Sequence, residues 1–406
     1  KIAHLKSNPL PPAEAAVPDM QQLPAVTKMV ERPRPFEVDL AVLEGMVKEL
    51  SVLFKDYKEL FNSNVMLVAV EQDNYRLTSE NVRLKFPLGL VGLTVSASVR
   101  TTDGSTVSDV LAISSLDNPA DLPSIEELKK KVKDFADNLM ELKETPMIEE
   151  YYTGPVLFEG GAASRLFTDN LLSPGRLLAL RTMAPARGML DEQLGRRIID
   201  SRLTVKNYTT LAEYNGTPLF GCYEIDGDGV VPAAELTLVE NGVFKRMLNG
   251  RVPTLKAPES TGSARFMISP DNPMAIVSPG TIHVQASKGV GPEKLKKALL
   301  KAAKEADLEY AYIVRRIGGE ASAVYKVNVK DGKEIRVRVN NLSAPELTKL
   351  MDLKGISSDE RVMNYFPNGV PASLIYPSAI IVGDVEINRT TPKIEEEPVL
   401  KHPLQR

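Results

Sequence analysis

The sequence predicts an α+β fold, in which an N-terminal sheet-plus-helix domain precedes a larger, antiparallel β-rich C-terminal domain. Three observations predict it. Most of the chain alternates apolar and polar residues with period two, in short runs broken by turn signals such as Asp103-Gly104 and Asp331-Gly332. Helical spacing is confined to a few segments. A run of strands closed by a capped helix marks the first domain, and closely spaced short strands mark the second.

Residues 1–35 carry Pro9, Pro11, Pro12, Pro18, Pro24, Pro33 and Pro35, which interrupt any long regular element, and they read as a connector. From Phe36 to Lys55, the spacing of Leu40, Leu43, Val47, Leu50 and Phe54 fits one apolar helical stripe, with Asp39 as its cap. Strand-like runs follow at Asn64–Glu71, Asn74–Ser79, Val82–Phe86, Leu93–Thr101 and, after the Asp103-Gly104 hairpin signal, Ser105–Ser114. Ser124 and Glu127 then form a capping-box pattern for a helix to about Leu142, and the first domain is expected to span residues 36–148.

The second domain, expected over 149–390, opens with a strand around Gly154 and a helix from Ala162 to Leu172. Strand runs are expected at Ser201–Asn207, Gly221–Ile225, Ala233–Glu240, Val243–Leu248, Met274–Val277 and the alternation around His283. A packing helix is predicted at Gly291–Ala306, with Pro292 in its first turn, followed by strands at Ala311–Arg316, Ala323–Val329 and Lys333–Val339. Residues 391–406 are charged and Pro-bearing and read as a surface tail.

Composition excludes several classes of function. The chain has 406 residues, 43% hydrophobic and 25% charged, enough for two or three domains of ordinary size. A net charge of -3, 6% aromatics and no tryptophan give no footprint for nucleic acid. No apolar run approaches the roughly 18 to 20 residues of a membrane helix. Cys222 is the single cysteine, so no intrachain disulfide framework exists, and the cytoplasm and the periplasm both remain open as compartments.

Several short motifs share an order and spacing. Tyr152-Thr153-Gly154-Pro155-Val156-Leu157-Phe158-Glu159 is followed by Gly160-Gly161-Ala162-Ala163. Upstream lies Tyr75-Arg76-Leu77-Thr78-Ser79-Glu80-Asn81. Downstream lie Gly221 to Gly229 with Pro232-Ala233, then Leu238 to Phe244, then Ser260-Thr261-Gly262-Ser263-Ala264-Arg265. Together they resemble the TldD/PmbA family, also called modulators of DNA gyrase, over about residues 36–390. The resemblance implies that family's C-terminal domain and a relation to metallopeptidases.

In catalytic members of that family, a Gly-x-x-x-His-Glu-x-x-x-His run supplies two imidazoles and a carboxylate from one helix. Here Gly154 and Glu159 keep their places, while Phe158 and Ala163 stand at the two histidine positions. The family's third ligand, a cysteine near the C-terminus, has no counterpart in Tyr376 to Val382. A zinc hydrolase needs about three protein ligands and an open position for water. The chain holds only His4, His283 and His402, none paired by local spacing. No metal or other cofactor is therefore expected, and no firm catalytic residue.

The resemblance implies a zinc-less, non-catalytic subunit or paralogue, forming a homodimer or a heteromer with a zinc-bearing TldD-like partner in peptide processing. A peptide-binding or scaffolding protein without a peptidase partner is the alternative. A third reading is a hydrolase with a divergent site at Glu159 or Cys222. The family usually has more N-terminal sequence, so the first domain is expected to be incomplete.

Other candidates come from the residues themselves. Ser260, Thr261 and Arg265 combine hydroxyls, flexible backbone and a cation suited to a peptide carboxylate, on what reads as a surface loop. Glu224, Asp226, Asp228 and Glu235 approach a calcium-loop pattern, against which a hairpin turn is favoured because Pro232 lies inside it. Cys222 reads as a small buried strand residue, Glu159 as a solvated or helix-starting carboxylate, and Arg315-Arg316 as a solvated pair.

Overall fold

The chain is described here by a computed structural model covering residues 17–32, 34–116, 118–181, 189–269, 274–318, 321–339 and 342–388. His4, His402, Pro9, Pro11, Pro12, Pro33 and the charged tail lie outside the described residues. What the sequence reads wholly as connector contributes a strand, β1 (Val26–Met29), which lies parallel to β3 with Val26 opposite Val82.

The N-terminal part is built from α1 (Leu40–Val52), β2 (Leu60–Leu77), β3 (Val82–Arg100), β4 (Thr106–Leu116) and α2 (Ile125–Glu144). Asp39 caps α1 by accepting from the Ala41 and Val42 amides, and the Ser124–Glu127 capping box starts α2. The pairs of runs expected on either side of residues 72 and 88 are each one long strand. Partners on the neighbouring strand carry the ladder through the polar interruptions, from Leu67 opposite Leu93 to Leu77 opposite Arg83. One face of this sheet buries Leu93, Val95 and Val99 against Leu50 of α1 and Leu128, Val132, Phe135 and Leu139 of α2. The three-to-four spacing of those α2 residues is what gives the helix its apolar side.

In chain order, the remaining elements begin with β5 (Tyr152–Glu159), α3 (Gly161–Leu171), β6 (Leu203–Tyr208), β7 (Glu213–Tyr214), β8 (Thr217–Pro218), β9 (Glu235–Glu240), β10 (Val243–Phe244), β11 (Ala264–Phe266) and β12 (Ala275–Val277). They continue with β13 (Thr281–Ala286), α4 (Pro292–Glu305), β14 (Tyr310–Arg316), β15 (Ala323–Asn328), β16 (Glu334–Val337), β17 (Leu353–Ile356), β18 (Glu360–Tyr365), β19 (Ala372–Pro377) and β20 (Ala379–Ile387). Two six-stranded sheets result, ordered β10-β9-β6-β13-β19-β18 and β16-β15-β14-β5-β20-β17. Both are mixed: most neighbours are antiparallel, as expected, while β13 with β19 and β14 with β5 are parallel.

The main core lies between these sheets. Val205, Leu238, Ile282, Val284 and Leu374 from one meet Val156, Phe158, Val314, Ile380 and Val382 from the other, and α3 inserts Ala162, Ala163, Leu166 and Phe167 between them. The opposite face of the second sheet is covered by α4, whose Leu295, Leu299 and Ala303 pack on Leu157, Ile313 and Ile381. Alternation along β5 thus sends Leu157 to one core and Phe158 to the other.

Two expected strands differ. Gly221–Ile225 is not a strand, because Gly221 lies so close to Gly280 that a Cβ would meet the Gly280 carbonyl carbon at 2.3 Å. The amides of the segment bond elsewhere, Gly221 to Ser373 Oγ at 3.3 Å and Tyr223 to Thr209 O at 2.7 Å. The run expected at Val243–Leu248 shortens to β10, after which the Leu248 amide turns to donate to Leu177 O at 2.8 Å.

Candidate functional site

The turn from β5 into α3 holds the residues singled out by the sequence. The segment is a strand, a turn and a helix, not the single helix that the resemblance implied. Gly160 makes the turn with φ +55°, a left-handed conformation that favours glycine. A Cβ at that point would also meet Arg361 Nη1 at 3.0 Å. The Gly160 amide donates to Ser378 O at 2.8 Å, and β20 runs beside β5 with Ala379 opposite Glu159 and Ile380 opposite Phe158. The fold therefore brings the three stretches Phe158-Glu159, Ala163 and Ser378-Ala379 to one place.

That place does not fit zinc. Phe158 and Ala163 are both 0% exposed in the main core and carry no donor atom. Ser378 spends its hydroxyl on Ser357 Oγ at 2.9 Å. Glu159 is neither a free carboxylate nor the start of α3: its Oε2 accepts from Arg315 Nε at 3.0 Å. Arg315 also donates through Nη2 to Glu334 at 2.8 Å, and its guanidinium lies 4.4 Å from the Tyr325 ring centre. A carboxylate held in such a pair is poorly placed to take a proton from water. Among the described residues, no group of three or more His, Cys, Asp or Glu could hold a metal ion. Arg316, the second member of the expected solvated pair, instead reaches the N-terminal sheet, where Nη2 binds Asp109 Oδ2 at 2.6 Å.

A second polar region gathers residues 221–230 and 249–265. Asp226 is 1% exposed, and its carboxylate accepts from the amides of Asp228 (3.0 Å), Val230 (2.8 Å) and Ala264 (3.0 Å). Burial pushes its pKa up to about 6, against the opposing pull of those amides. The acidic residues of the calcium-like pattern are committed elsewhere: Glu224 to Lys28, Asp228 to Arg76 and Glu235 to Lys206. The turn expectation holds locally, since the Gly229 amide donates to Asp226 O at 3.1 Å and the Asp226 amide to Val230 O at 2.9 Å, but the turn joins no strands and the Asp226 carboxylate organises the loop around it. Cys222, expected to be buried in a strand, is exposed because that strand does not form.

Ser260 and Thr261 are half-buried, and Arg265 is buried on β11, so the stretch is less of a surface loop than expected. The Ser260 hydroxyl accepts from the Gly262 amide at 3.1 Å, and Thr261 Oγ1 accepts from the Asn249 amide at 2.7 Å. Arg265 Nη1 donates to Pro279 O and Pro371 O at 2.7 and 2.5 Å, and its guanidinium stands 4.4 Å from the Tyr223 ring centre. These three residues are neighbours in the fold, but they lie in the Asp226 region, apart from the β5–α3 turn in the chain.

His283 is buried on β13, with Nε2 2.9 Å from Glu360 Oε1, and the Tyr214 hydroxyl donates to the other oxygen of that carboxylate. Sequence reasoning gave no role to Glu360, Arg361 or Tyr365. Their partners lie far along the chain, and β18 shows no local signal beyond alternation.

Comparison with known proteins bears on the family. A family profile described as the PmbA/TldA metallopeptidase C-terminal domain matches residues 152–388. No curated protein matches the chain. Among solved structures, TldE from Thermococcus kodakarensis is similar with a TM-score of 0.58 at 16% identity, over 91% of this chain and 80% of that one. A protein from Thermotoga maritima described as a candidate modulator of a DNA gyrase gives 0.56 at 15%, over 92% and 81%. Another so described, from Bacteroides thetaiotaomicron, gives 0.51 at 14%, over 85% and 72%. At these identities the structural likenesses speak to the fold alone.

Proposed function

The chain belongs to the PmbA/TldD metallopeptidase family, and from that premise we propose that it is a zinc-less subunit or paralogue which assembles with a zinc-bearing homologue and helps enclose peptide substrates. One observation carries the reading. Where catalytic members would hold imidazoles, Phe158 and Ala163 fill the main core, with the β20 segment alongside offering Ser378 and no thiol. A buried phenylalanine is a packing commitment, so a metal site there would require the core to be rebuilt, not merely loaded. In this reading the partner supplies the acidified water, and residues 36–148 and 149–390 act as separate domains that supply interface and cleft wall. Ser260, Thr261 and Arg265 belong to that wall.

The test is metal content together with peptide hydrolysis, on the purified chain alone and co-purified with a zinc-motif homologue. Activity that appears only in the mixture is the expected result. Stoichiometric zinc and peptide cleavage by the chain alone would overturn the proposal. Failure to recover any zinc-bearing family member in a pull-down, with peptide binding retained, would favour a scaffolding role instead.

A further inference from the structure

Among the described residues, Arg251, Arg265, Arg336 and Arg338 are the buried arginines, exposed to 4%, 8%, 8% and 2%. Three of them face a carboxylate: Arg251 Nη2 lies 2.6 Å from Glu80, Arg336 Nη1 lies 2.5 Å from Glu141, and Arg338 Nη2 pairs with Asp103. Arg265 has no carboxylate at ion-pair distance among the described residues. Burying a charge is costly unless it is paired, and breaking such a pair leaves an uncompensated charge. The two proline carbonyls and the Tyr223 ring offset part of that cost. They bring no negative charge.

The free side of the guanidinium has a definite form. Both hydrogen bonds of Arg265 leave from Nη1. Nε and Nη2 have no acceptor among the described residues and are absent from the sealed, partnerless polar atoms, so solvent reaches them. Those two nitrogens form the parallel edge that binds a carboxylate in bidentate fashion. The Tyr365 hydroxyl, within electrostatic reach of Arg265, is sealed and has no partner, and the Ser278 hydroxyl beside Pro279 is likewise sealed and partnerless. Cys222 feels the Arg265 charge too and is exposed, marking a side from which the region is open.

We infer that the Nε–Nη2 edge of Arg265 binds the carboxylate of a peptide. The choice of a peptide as the bearer rests on the function proposed above. A monoanion balances one guanidinium, whereas a phosphate dianion would carry a surplus charge into a buried site. A chain-terminal carboxylate and an Asp or Glu side chain share this chemistry.

The experiment is calorimetric titration of the full chain with tetra-alanine as the free acid, its C-terminal amide, and an amidated peptide carrying one aspartate. The free acid should bind about tenfold more tightly than the amide, as a charge-assisted bidentate contact warrants. Arg265→Gln should reduce that ratio to near one. Arg265→Lys, which keeps the positive charge but not the two-nitrogen edge, should lower it about threefold, and far-UV circular dichroism of both variants guards against misfolding. Tight binding of the amidated aspartyl peptide would make a side chain the source of the carboxylate. Equal affinity for acid and amide would overturn the Arg265 site while leaving the peptide reading intact. If no peptide binds, acetate should still slow alkylation of Cys222 by iodoacetamide. Protection would keep the site and remove the peptide reading, and no protection would remove the site.

Discussion

The β5–α3 turn and the loop region around Asp226 are both junctions at the ends of sheet strands, and they bury opposite chemistry. At the turn, Phe158 and Ala163 face inward and the polar groups, Glu159, Arg315 and Arg361, are pushed to the rim. Around Asp226 the interior itself is polar, with a carboxylate on three amides, the Arg76–Asp228 pair and the uncompensated Arg265. Apolar packing sustains itself once volume is matched. A buried polar cluster is costly wherever one of its groups lacks a partner. The contrast shows that one scaffold can close one junction by apolar packing alone and another by a network of buried polar contacts.

The sharpest way to break the comparison is to empty its apolar half. Phe158→Ala should cost about 4 kcal/mol, as expected for a large aromatic removed from a closed core, read as a fall in the denaturation midpoint. A loss below about 1 kcal/mol would mean that the turn is loosely packed and that the contrast is false. The polar half is tested by pH. Asp226 has a folded pKa raised to about 6 from 3.8, so the native state binds the extra proton between those values. Its contribution to stability is therefore full below about pH 4 and declines as pH rises to about 6, by about 3 kcal/mol from the linkage relation. Asp226→Asn should remove that decline, and parallel pH–stability curves for the two proteins would refute it. Asp103 and Asp200 run the other way. Their pKa values are lowered to about 2 by hydrogen bonds and arginine partners against the effect of burial, so their contribution is lost as pH falls from about 4 to 2.

Smaller effects sharpen the contrast. Arg76→Ala leaves the nearly buried Asp228 without its cation and should cost about 2 kcal/mol, and a double cycle with Asp228→Asn should recover part of it. Ser124→Ala, far from both regions, removes the N-cap of α2 and should cost about 1 kcal/mol. Thermal melts of this variant at pH 6 and pH 8 should show the same loss, since Glu127, whose carboxylate also accepts from Ser124 and is held below its ordinary pKa by that bond, is ionised at both.

Legibility in the sequence followed the range of the interactions. Asp39 and Ser124 announce their helices because a cap bonds amides two or three residues away. The alternation of His283 and the β14–β15–β16 run was visible for the same reason, since strand faces repeat every second residue. Gly221–Ile225 alternates too, but its conformation is decided by Gly280, a contact no local window contains. β1 hid among prolines because its pairing with Val82–Lys85 is long-range. At the candidate sites, the apolar character of Phe158 and Ala163 could be read directly, whereas the burial of Arg265 depends on Pro279, Pro371 and Tyr223 arriving from other segments. The Glu159–Arg315 pair was equally out of reach.

The position of β20 has a consequence in time. β5 is an inner strand of its sheet, yet one of its two neighbours is the last strand of the described chain, ending at Ile387. During synthesis, the first of these strands must wait with an open edge until residues 379–387, more than two hundred positions later, have left the ribosome. Such distant pairing is slow and exposes unpaired backbone to aggregation. Nascent chains stalled before residue 379 should accordingly hold a folded N-terminal sheet and an unclosed second half, a difference that limited proteolysis of arrested chains would reveal.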